Sequence, residues 1–127
     1  MALQDGIATR SVDVASGTSI EKNRFVTVGA SGAAYPLAGA HAVGVTLNRS
    51  VTPASTNTAA FKTTVLSVAM RNGARVEVRA GEDGIAIGDS ISSDTDGKAV
   101  ETSGNAQILG FAETAGDDDD LILITLL

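Results

Sequence analysis

The most concentrated chemical groups in this sequence are carboxylates. Asp117-Asp118-Asp119-Asp120 places four of them side by side, and Asp94-Thr95-Asp96-Gly97 begins like a calcium-binding EF-hand loop. Calcium needs about six to eight oxygen ligands held by a shaped loop, and adjacent side chains do not converge on one ion. In the second stretch Gly97 comes too early, and no Glu stands at the twelfth position. We therefore predict two solvated turns and no metal site.

Other reactive side chains are few. His41 is the only histidine and cysteine is absent, so a catalytic triad or a histidine-ligated metal would depend on His41 alone. The lack of cysteine excludes a disulfide framework and a thiolate zinc site. Ala69-Met70-Arg71 and Asp96-Gly97-Lys98-Ala99 are similar to biotinyl and lipoyl attachment turns, but Arg71 stands where a modified lysine would be. We predict no enzyme and no cofactor, with a lipoyl- or biotinyl-type carrier as an alternative.

The charge balance bears on the partner class. The net charge is −6, from 15 acidic and 9 basic residues. Duplex binding usually rests on clustered Lys and Arg that contact phosphates, so nucleic acid is disfavoured and a protein partner is expected. No apolar run approaches the roughly 20 residues that cross a bilayer, and the start lacks a secretory pattern. We expect a soluble, unexported chain without a membrane partner.

Short β-branched runs between frequent glycines must position whatever site exists. The clearest runs are Arg24-Phe25-Val26-Thr27-Val28, Ala42-Val43-Gly44-Val45-Thr46-Leu47, Thr64-Val65-Leu66-Ser67-Val68 and Arg75-Val76-Glu77-Val78-Arg79. Such punctuation is typical of strands and turns. We predict an all-β fold, a small β-barrel or β-sandwich of short antiparallel strands, with at most one short helix at residues 38–42 or 58–61.

The expected core has small side chains. Hydrophobic residues make up 43% of the chain, but aromatic residues make up only 3% and tryptophan is absent. Aromatic side chains normally contribute the largest buried areas, so a core without them gains stability slowly. This composition favours association of the domain with copies of itself.

Two turns can be placed from the sequence. A three-residue loop at Arg71-Asn72-Gly73, with Gly73 in the left-handed conformation, would form a hairpin. Its register would set Leu66, Val68 and Met70 opposite Val78, Val76 and Ala74; a two-residue turn would mix core and solvent positions. Its outward face would carry Ser67, Arg75, Glu77 and Arg79. Asp94-Thr95-Asp96-Gly97 predicts a second turn, between Ser90-Ile91 and Lys98-Ala99-Val100.

In the last segment, residues 121–127, both the odd-numbered and the even-numbered positions are mainly apolar. It predicts a strand that is buried on both sides, either within the domain or by the domain on one side and a neighbouring subunit on the other.

A weak internal repeat is also present, at offsets of about 64 to 66 positions. Its members are Ser16-Gly17, Phe25-Val26, Gly32 and Val43-Gly44-Val45, which recur as Ala80-Gly81, Ser90-Ile91, Gly97 and Leu109-Gly110-Phe111. We predict an N-terminal arm at residues 1–14 and one pseudo-symmetric β domain at residues 15–127.

These repeated strands and turns, together with Ile87-Gly88-Asp89-Ser90-Ile91 and the closing Leu121-Ile122-Leu123-Ile124, resemble the capsid decoration, or cement, proteins of tailed bacteriophages. The resemblance covers residues 17–127. It implies a β-barrel or β-sandwich, often trimeric, that is made in the host cytoplasm and binds the outer surface of an expanded phage head. The implied partner is the major capsid protein, whose subunits the bound protein clamps together.

For this reading we select five capsid or subunit contacts, namely Gln4, Asp5, Arg10, Arg75 and Arg79. The alternative from another class is a carbohydrate- or host-surface-binding β module of the virion, such as a head fibre or tail component. Sugar sites usually need aromatic platforms, and three Phe and one Tyr leave little material for one.

Overall fold

The computed structural model of the chain describes residues 8–14, 19–50, 65–71 and 73–127. In this part of the chain ten strands form two antiparallel five-stranded sheets, and no helix occurs. The all-β prediction is confirmed, and the sheets do not close into a barrel. Residues 38 and 39 form a turn, so the helix expected at 38–42 is wrong, whereas 58–61 lie outside the described residues. None of the described residues forms a helix long and apolar enough to cross a membrane.

The first sheet has the strand order β1-β5-β4-β2-β3. Its strands are β1 (Thr9–Asp13), β2 (Phe25–Gly29), β3 (Gly32–Ala34), β4 (Gly44–Thr46) and β5 (Val65–Met70). Thr9–Asp13 of the predicted arm therefore pair with β5 as an edge strand.

The second sheet has the order β6-β10-β9-β7-β8, which is the order of the first sheet with every strand number raised by five. Its strands are β6 (Arg75–Arg79), β7 (Ser90–Ser93), β8 (Ala99–Glu101), β9 (Gly110–Ala112) and β10 (Leu121–Leu126). The chain thus contains two halves of identical strand topology, one for each sheet.

Corresponding residues of the halves follow from matching pairings. Phe25, Val45 and Ala69 form a row of facing residues across β2, β4 and β5. Ser90, Phe111 and Thr125 form the same row across β7, β9 and β10. The match extends to single backbone bonds: Val43 N–H donates to the Val26 carbonyl at 2.8 Å, and Leu109 N–H donates to the Ile91 carbonyl at 2.7 Å.

The glycines at the centre of each half have one steric cause. A Cβ on Gly44 would lie 2.1 Å from the carbonyl oxygen of Ala69, and a Cβ on Gly110 would lie 2.4 Å from that of Thr125. Both distances are well inside van der Waals contact, so each position admits glycine alone without a shift of the neighbouring strand. The Val-Gly-Val and Leu-Gly-Phe segments of the repeat therefore mark the places where two strands approach most closely.

Buried side chains form two clusters. The first core lies on one face of the first sheet and contains Val12, Ile20, Val26, Ala33, Leu66 and Val68. The main core contains the inward residues of the second sheet, among them Ile91, Leu109, Ile122, Ile124 and Leu126. It also contains four residues of the first half, Phe25, Ala42, Val45 and Ala69. The opposite face of the first sheet therefore covers the core of the second half.

The hairpin expected around Gly73 is wrong. β5 pairs with β1 and β4, whereas β6 pairs with β10, so neither register between β5 and β6 exists. The two strands belong to different sheets because each finds its partner within its own half. Gly73 does adopt the predicted left-handed conformation, with φ of 81°.

The second turn is confirmed. β7 and β8 are an antiparallel hairpin, and Gly97 has φ of 73°. The Asp94 carboxylate accepts hydrogen bonds from the backbone N–H groups of Asp96 and Lys98 at 2.8 and 2.9 Å. This acidic residue therefore serves the turn and satisfies backbone donors that would otherwise need water.

Asn23 joins the two sheets. Its N–H donates to the Thr46 carbonyl at 3.0 Å, its carbonyl accepts from the Arg79 N–H at 3.0 Å, and its side-chain amide donates to the Glu77 carbonyl at 3.1 Å. Asn23 is buried and has φ of 63°, a conformation that asparagine tolerates better than most residues. The edge strand β6 is capped in this way by one residue of the first half.

Candidate functional site

The outer face of the second sheet exposes apolar side chains. On β10 the even-numbered residues Ile122 and Ile124 are buried, while Leu121 is 40% exposed and Leu123 is half-buried. Phe111 on the neighbouring β9 is 42% exposed, and Ile108 just before that strand is 40% exposed. The last strand is therefore buried by the domain on one side only, as one branch of the sequence prediction has it.

A charged network borders this face. The Arg75 guanidinium forms a two-pronged ion pair with the Glu113 carboxylate, with nitrogen to oxygen distances of 2.8 and 3.0 Å. The hydroxyl of Thr125 donates to the same carboxylate. The hydrogen bonds from Arg75 and then Thr125 hold the pKa of Glu113 below its ordinary value. The network fixes Arg75 across the sheet beside the apolar residues.

Of the five predicted contact residues, the three that the structure describes lie on two different sheets. Arg75 and Arg79 both lie on β6 of the second sheet, whereas Arg10 is exposed on β1 of the first sheet. The Arg79 guanidinium donates to the Asp119 carbonyl at 2.7 Å, so this residue also has an intramolecular partner. Gln4 and Asp5 lie outside the described residues.

The aspartate tract folds as a turn before β10. The Asp120 carboxylate accepts from the Asp117 N–H at 2.9 Å, and Asp119 has φ of 67°. Lys98 forms ion pairs with Asp119 at 2.6 Å and Asp118 at 3.7 Å. The hydrogen bond between Lys98 and Asp119 raises the pKa of Lys98 and lowers that of Asp119. Within the described part of the chain, no group of three or more His, Cys, Asp and Glu residues is placed to hold a metal.

The remaining reactive candidates have structural partners. His41 is exposed, and its Nδ1 lies 3.3 Å from a guanidinium nitrogen of Arg71. Arg71 also donates to the carbonyls of Ala42 and Leu127. Lys98, the residue of the lipoyl-like turn, is held by the aspartate tract, and its side chain is 18% exposed.

One groove of about 440 Å³ lies between the turn at residues 38–39 and the β7–β8 hairpin. Its walls are mainly small and polar, with Ser92, Ser103, Asn105 and Glu101 among them, and no aromatic side chain lines it. A sugar would therefore have hydrogen-bonding groups here but no ring to stack on.

The sequence analysis missed Ile108, Phe111 and Glu113 as surface candidates. It identified Leu109-Gly110-Phe111 as a strand, but the side on which Phe111 lies depends on the pairing of β9 with β7 and β10. Strand alternation gave no signal for Phe111, because Phe111 lies two positions after the buried Leu109 and a regular strand would place both on the same face.

Comparison with known proteins adds a likeness to a solved structure. No protein-family model matches the chain, and no curated protein sequence matches it. Among solved structures, the chain is similar to the head fiber gp8.5 N base of bacteriophage phi29, with a TM-score of 0.70 and 18% sequence identity. The alignment covers 94% of this chain and 95% of the other. At this identity the likeness establishes a shared fold.

Proposed function

We propose that this chain is a structural protein of a bacteriophage virion, a homo-oligomeric decoration protein that binds the outer surface of the expanded head and bridges major capsid subunits. The observation that carries the proposal is the fold shared with a phage head fibre base over nearly the full length of both chains. The resemblance of the sequence to the cement family points to the same setting. A trimer is the expected oligomer.

The surface of the domain supports a role in binding other proteins. The outer face of the second sheet presents Ile108, Phe111, Leu121 and Leu123 beside the ion pair of Arg75 and Glu113. Grouped apolar residues rimmed by polar ones are typical of protein interaction sites. The reactive groups with described partners, by contrast, serve turns and ion pairs, and we propose no catalysis and no bound cofactor.

The proposed mechanism is energetic. A protein that binds the assembled shell, and not its separated subunits, stabilises the shell by mass action. Contacts from one oligomer to several coat subunits add through effective concentration, so each individual contact need only be modest. Within this proposal Gln4, Asp5, Arg10, Arg75 and Arg79 are the candidate capsid contacts, with Arg10 exposed on an edge strand.

The test uses heads of the chain's own phage prepared without this protein. Purified protein is added back, bound protein is measured by co-sedimentation, and the temperature of DNA release is recorded. We expect saturable binding to expanded heads, weaker binding to unexpanded ones, and a higher release temperature. Heads that bind no protein, or that bind it and release DNA at the same temperature as bare heads, would refute the cement role.

The second candidate is the base of a head fibre, which the same structural likeness favours. Cryo-electron microscopy of reconstituted heads separates the two. A cement protein occupies every equivalent lattice site and bridges neighbouring coat subunits. A fibre base projects from its site and carries a further, distal segment. Density of the second kind would replace the cement role with the fibre role inside the same virion setting.

A further inference from the structure

The outer faces of the two sheets are equivalent in the repeat, but they differ in how far they are buried. In the first half, the outer face of the sheet is fully buried at Phe25, Ala42, Val45 and Ala69, because it covers the main core of the second half. This is a head-to-tail contact, since the surfaces that meet, the outer face of one half and the core side of the other, are different.

The corresponding outer face of the second half is uncovered. Its counterparts of those four residues are Ser90, Ile108, Phe111 and Thr125, which we call the outer patch. Ile108 and Phe111 are 40% and 42% exposed, whereas Ala42 and Val45 are fully buried. At two of the four positions the second half has the larger apolar side chain, Ile108 for Ala42 and Phe111 for Val45, whereas Ser90 and Thr125 are polar.

On the opposite surface, the inward residues Val26, Leu66 and Val68 of the first half are fully buried, but four flanking positions are less buried than in the second half. Val14, Val28, Val43 and Met70 pack against the first core but are only partly buried, and we call them the core rim. Their counterparts in the second half are Ala80, Ser93, Leu109 and Leu126. All four counterparts are fully buried. The core rim is thus partly exposed at positions whose counterparts in the second half are fully buried.

The hydrogen bonds by which Asn23 joins the two sheets, which we call the clasp, have no equivalent at the corresponding position of the second half. Gly88 is the counterpart of Asn23, because its N–H donates to the Ala112 carbonyl at 2.9 Å as that of Asn23 does to Thr46. Asn23 reaches across to β6 of the second half. Gly88 is exposed, and nothing lies within 4 Å of the position where its Cβ would be. The second half therefore has an open side where the first half holds its neighbour.

We propose that the outer patch of one copy packs on the core rim of the next, repeating between chains the head-to-tail contact that joins the two halves within a chain. This inference rests on the homo-oligomer of the proposed function. It adds which surfaces meet, and that each contact joins two different surfaces in a head-to-tail arrangement. A second copy is the favoured occupant, because the chain itself already packs the outer face of its first sheet against the core of its second half. Head-to-tail contacts of this kind close into rings or extend as filaments.

The charges around the two surfaces are compatible with self-association. The chain carries −6 overall, but Arg75 and Glu113 beside the outer patch neutralise each other. Arg10 is exposed next to the core rim, on the strand that also carries the buried Val12. Two copies of an acidic chain can therefore meet here without opposing like charges at the centre of the contact.

Because the proposed contact joins two different surfaces, mixing a variant of each surface tests the head-to-tail arrangement. Phe111→Glu disables the outer patch, and Met70→Glu disables the core rim, with Val28→Glu as a second rim variant in case the first fails to fold. Far-ultraviolet circular dichroism and a urea titration establish that each variant is folded. Leu37→Glu, at a residue 77% exposed and outside both surfaces, is the matched control.

Association is measured by sedimentation velocity and native mass spectrometry in the absence of heads. We expect the parent chain and Leu37→Glu to associate, and each patch variant alone to associate at least about tenfold more weakly. An equal mixture of Phe111→Glu and Met70→Glu should form heterodimers, because each copy retains the surface that the other lacks. Rising concentration should also slow hydrogen exchange at residues 43 and 111 of the parent chain.

A mixture that stays as monomeric as its components would overturn the head-to-tail polarity, since a contact between identical patches is not rescued by mixing. A parent chain that remains monomeric at millimolar concentration, or a Phe111→Glu variant that associates like the parent, would overturn the proposal itself. Failure of an associated parent chain to bind heads would instead refute the cement role and leave this inference standing.

Discussion

Replacement of Asn23 tests whether one residue holds the two sheets together. In Asn23→Ala the Glu77 carbonyl loses the amide donor at 3.1 Å, and a partly desolvated acceptor left in this way costs about 1–3 kcal/mol. The backbone adds a second cost, because φ at this position is 63° and alanine in that region costs about 1–2 kcal/mol. We therefore expect Asn23→Ala to lower the free energy of unfolding by about 2–5 kcal/mol.

Asn23→Gly separates the two contributions. Glycine adopts the left-handed conformation freely, so this variant loses only the amide bond, and we expect about 1–2 kcal/mol less destabilisation than with alanine. Asn105→Ala, at an exposed loop position, is the control and should stay within about 0.5 kcal/mol of the parent.

The assay is urea unfolding followed by far-ultraviolet circular dichroism, since the chain has no tryptophan for fluorescence. Protein concentration is held constant across variants, because association of the folded state raises the apparent stability. If Asn23→Ala unfolds at the same urea concentration as the control, the clasp carries no stability. If glycine and alanine are equally destabilising, the argument from φ is wrong.

Three further outcomes follow from the structure. Gly44→Ala should destabilise the fold by about 1–3 kcal/mol or more in the same urea assay, because its Cβ would lie 2.1 Å from the Ala69 carbonyl oxygen. The control Gly29→Ala should be nearly neutral, because its Cβ would meet nothing within 4 Å. Equal effects of the two substitutions would contradict the close approach of the strands at Gly44. The lowered pKa of Glu113 means that its carboxylate stabilises the fold above its unfolded-state pKa near 4.5 and that this stabilisation is lost as the pH falls through the lower folded pKa. Unfolding titrations at pH 7 and pH 3 should therefore show a smaller loss of stability in Glu113→Gln than in the parent, and an equal loss would remove the role of the Arg75 ion pair. An intact mass equal to that of the unmodified sequence is expected, since Lys98 is paired with Asp119, and a lipoyl or biotinyl adduct would restore the carrier alternative.

The duplicated architecture explains why so small a core suffices. Each half supplies its own five-stranded sheet, and the outer face of the first sheet becomes part of the core of the second. Among the residues that the structure describes, Phe25 is the only aromatic residue in that shared core, and Ala42, Val45 and Ala69 join it from the first half. Burying a sheet on both faces recovers from small side chains the apolar area that a single layer would need aromatic residues to provide.

Local features of this protein could be predicted from its amino-acid sequence alone. β-branched runs between glycines fixed where most strands lie, and Asp94 and Gly97 fixed the β7–β8 turn, because both effects depend on neighbouring residues alone. Gly44 and Gly110 marked equivalent strands of the two halves. The apolar residues at odd and even positions of β10 predicted a strand covered on both faces, whereas the domain covers only the face of Ile122 and Ile124.

The pairing of the strands and the faces that remain open depend on long-range packing and could not be predicted from local patterns. β5 and β6 are neighbours in sequence and suit a hairpin, yet each pairs within its own half, since strand pairing is set by the burial of whole faces and not by the turn between two strands. The clasp of Asn23 on β6 and the bond of Arg75 to Glu113 join residues far apart in the chain. No local pattern encodes such partners, because their proximity exists only after both sheets have formed.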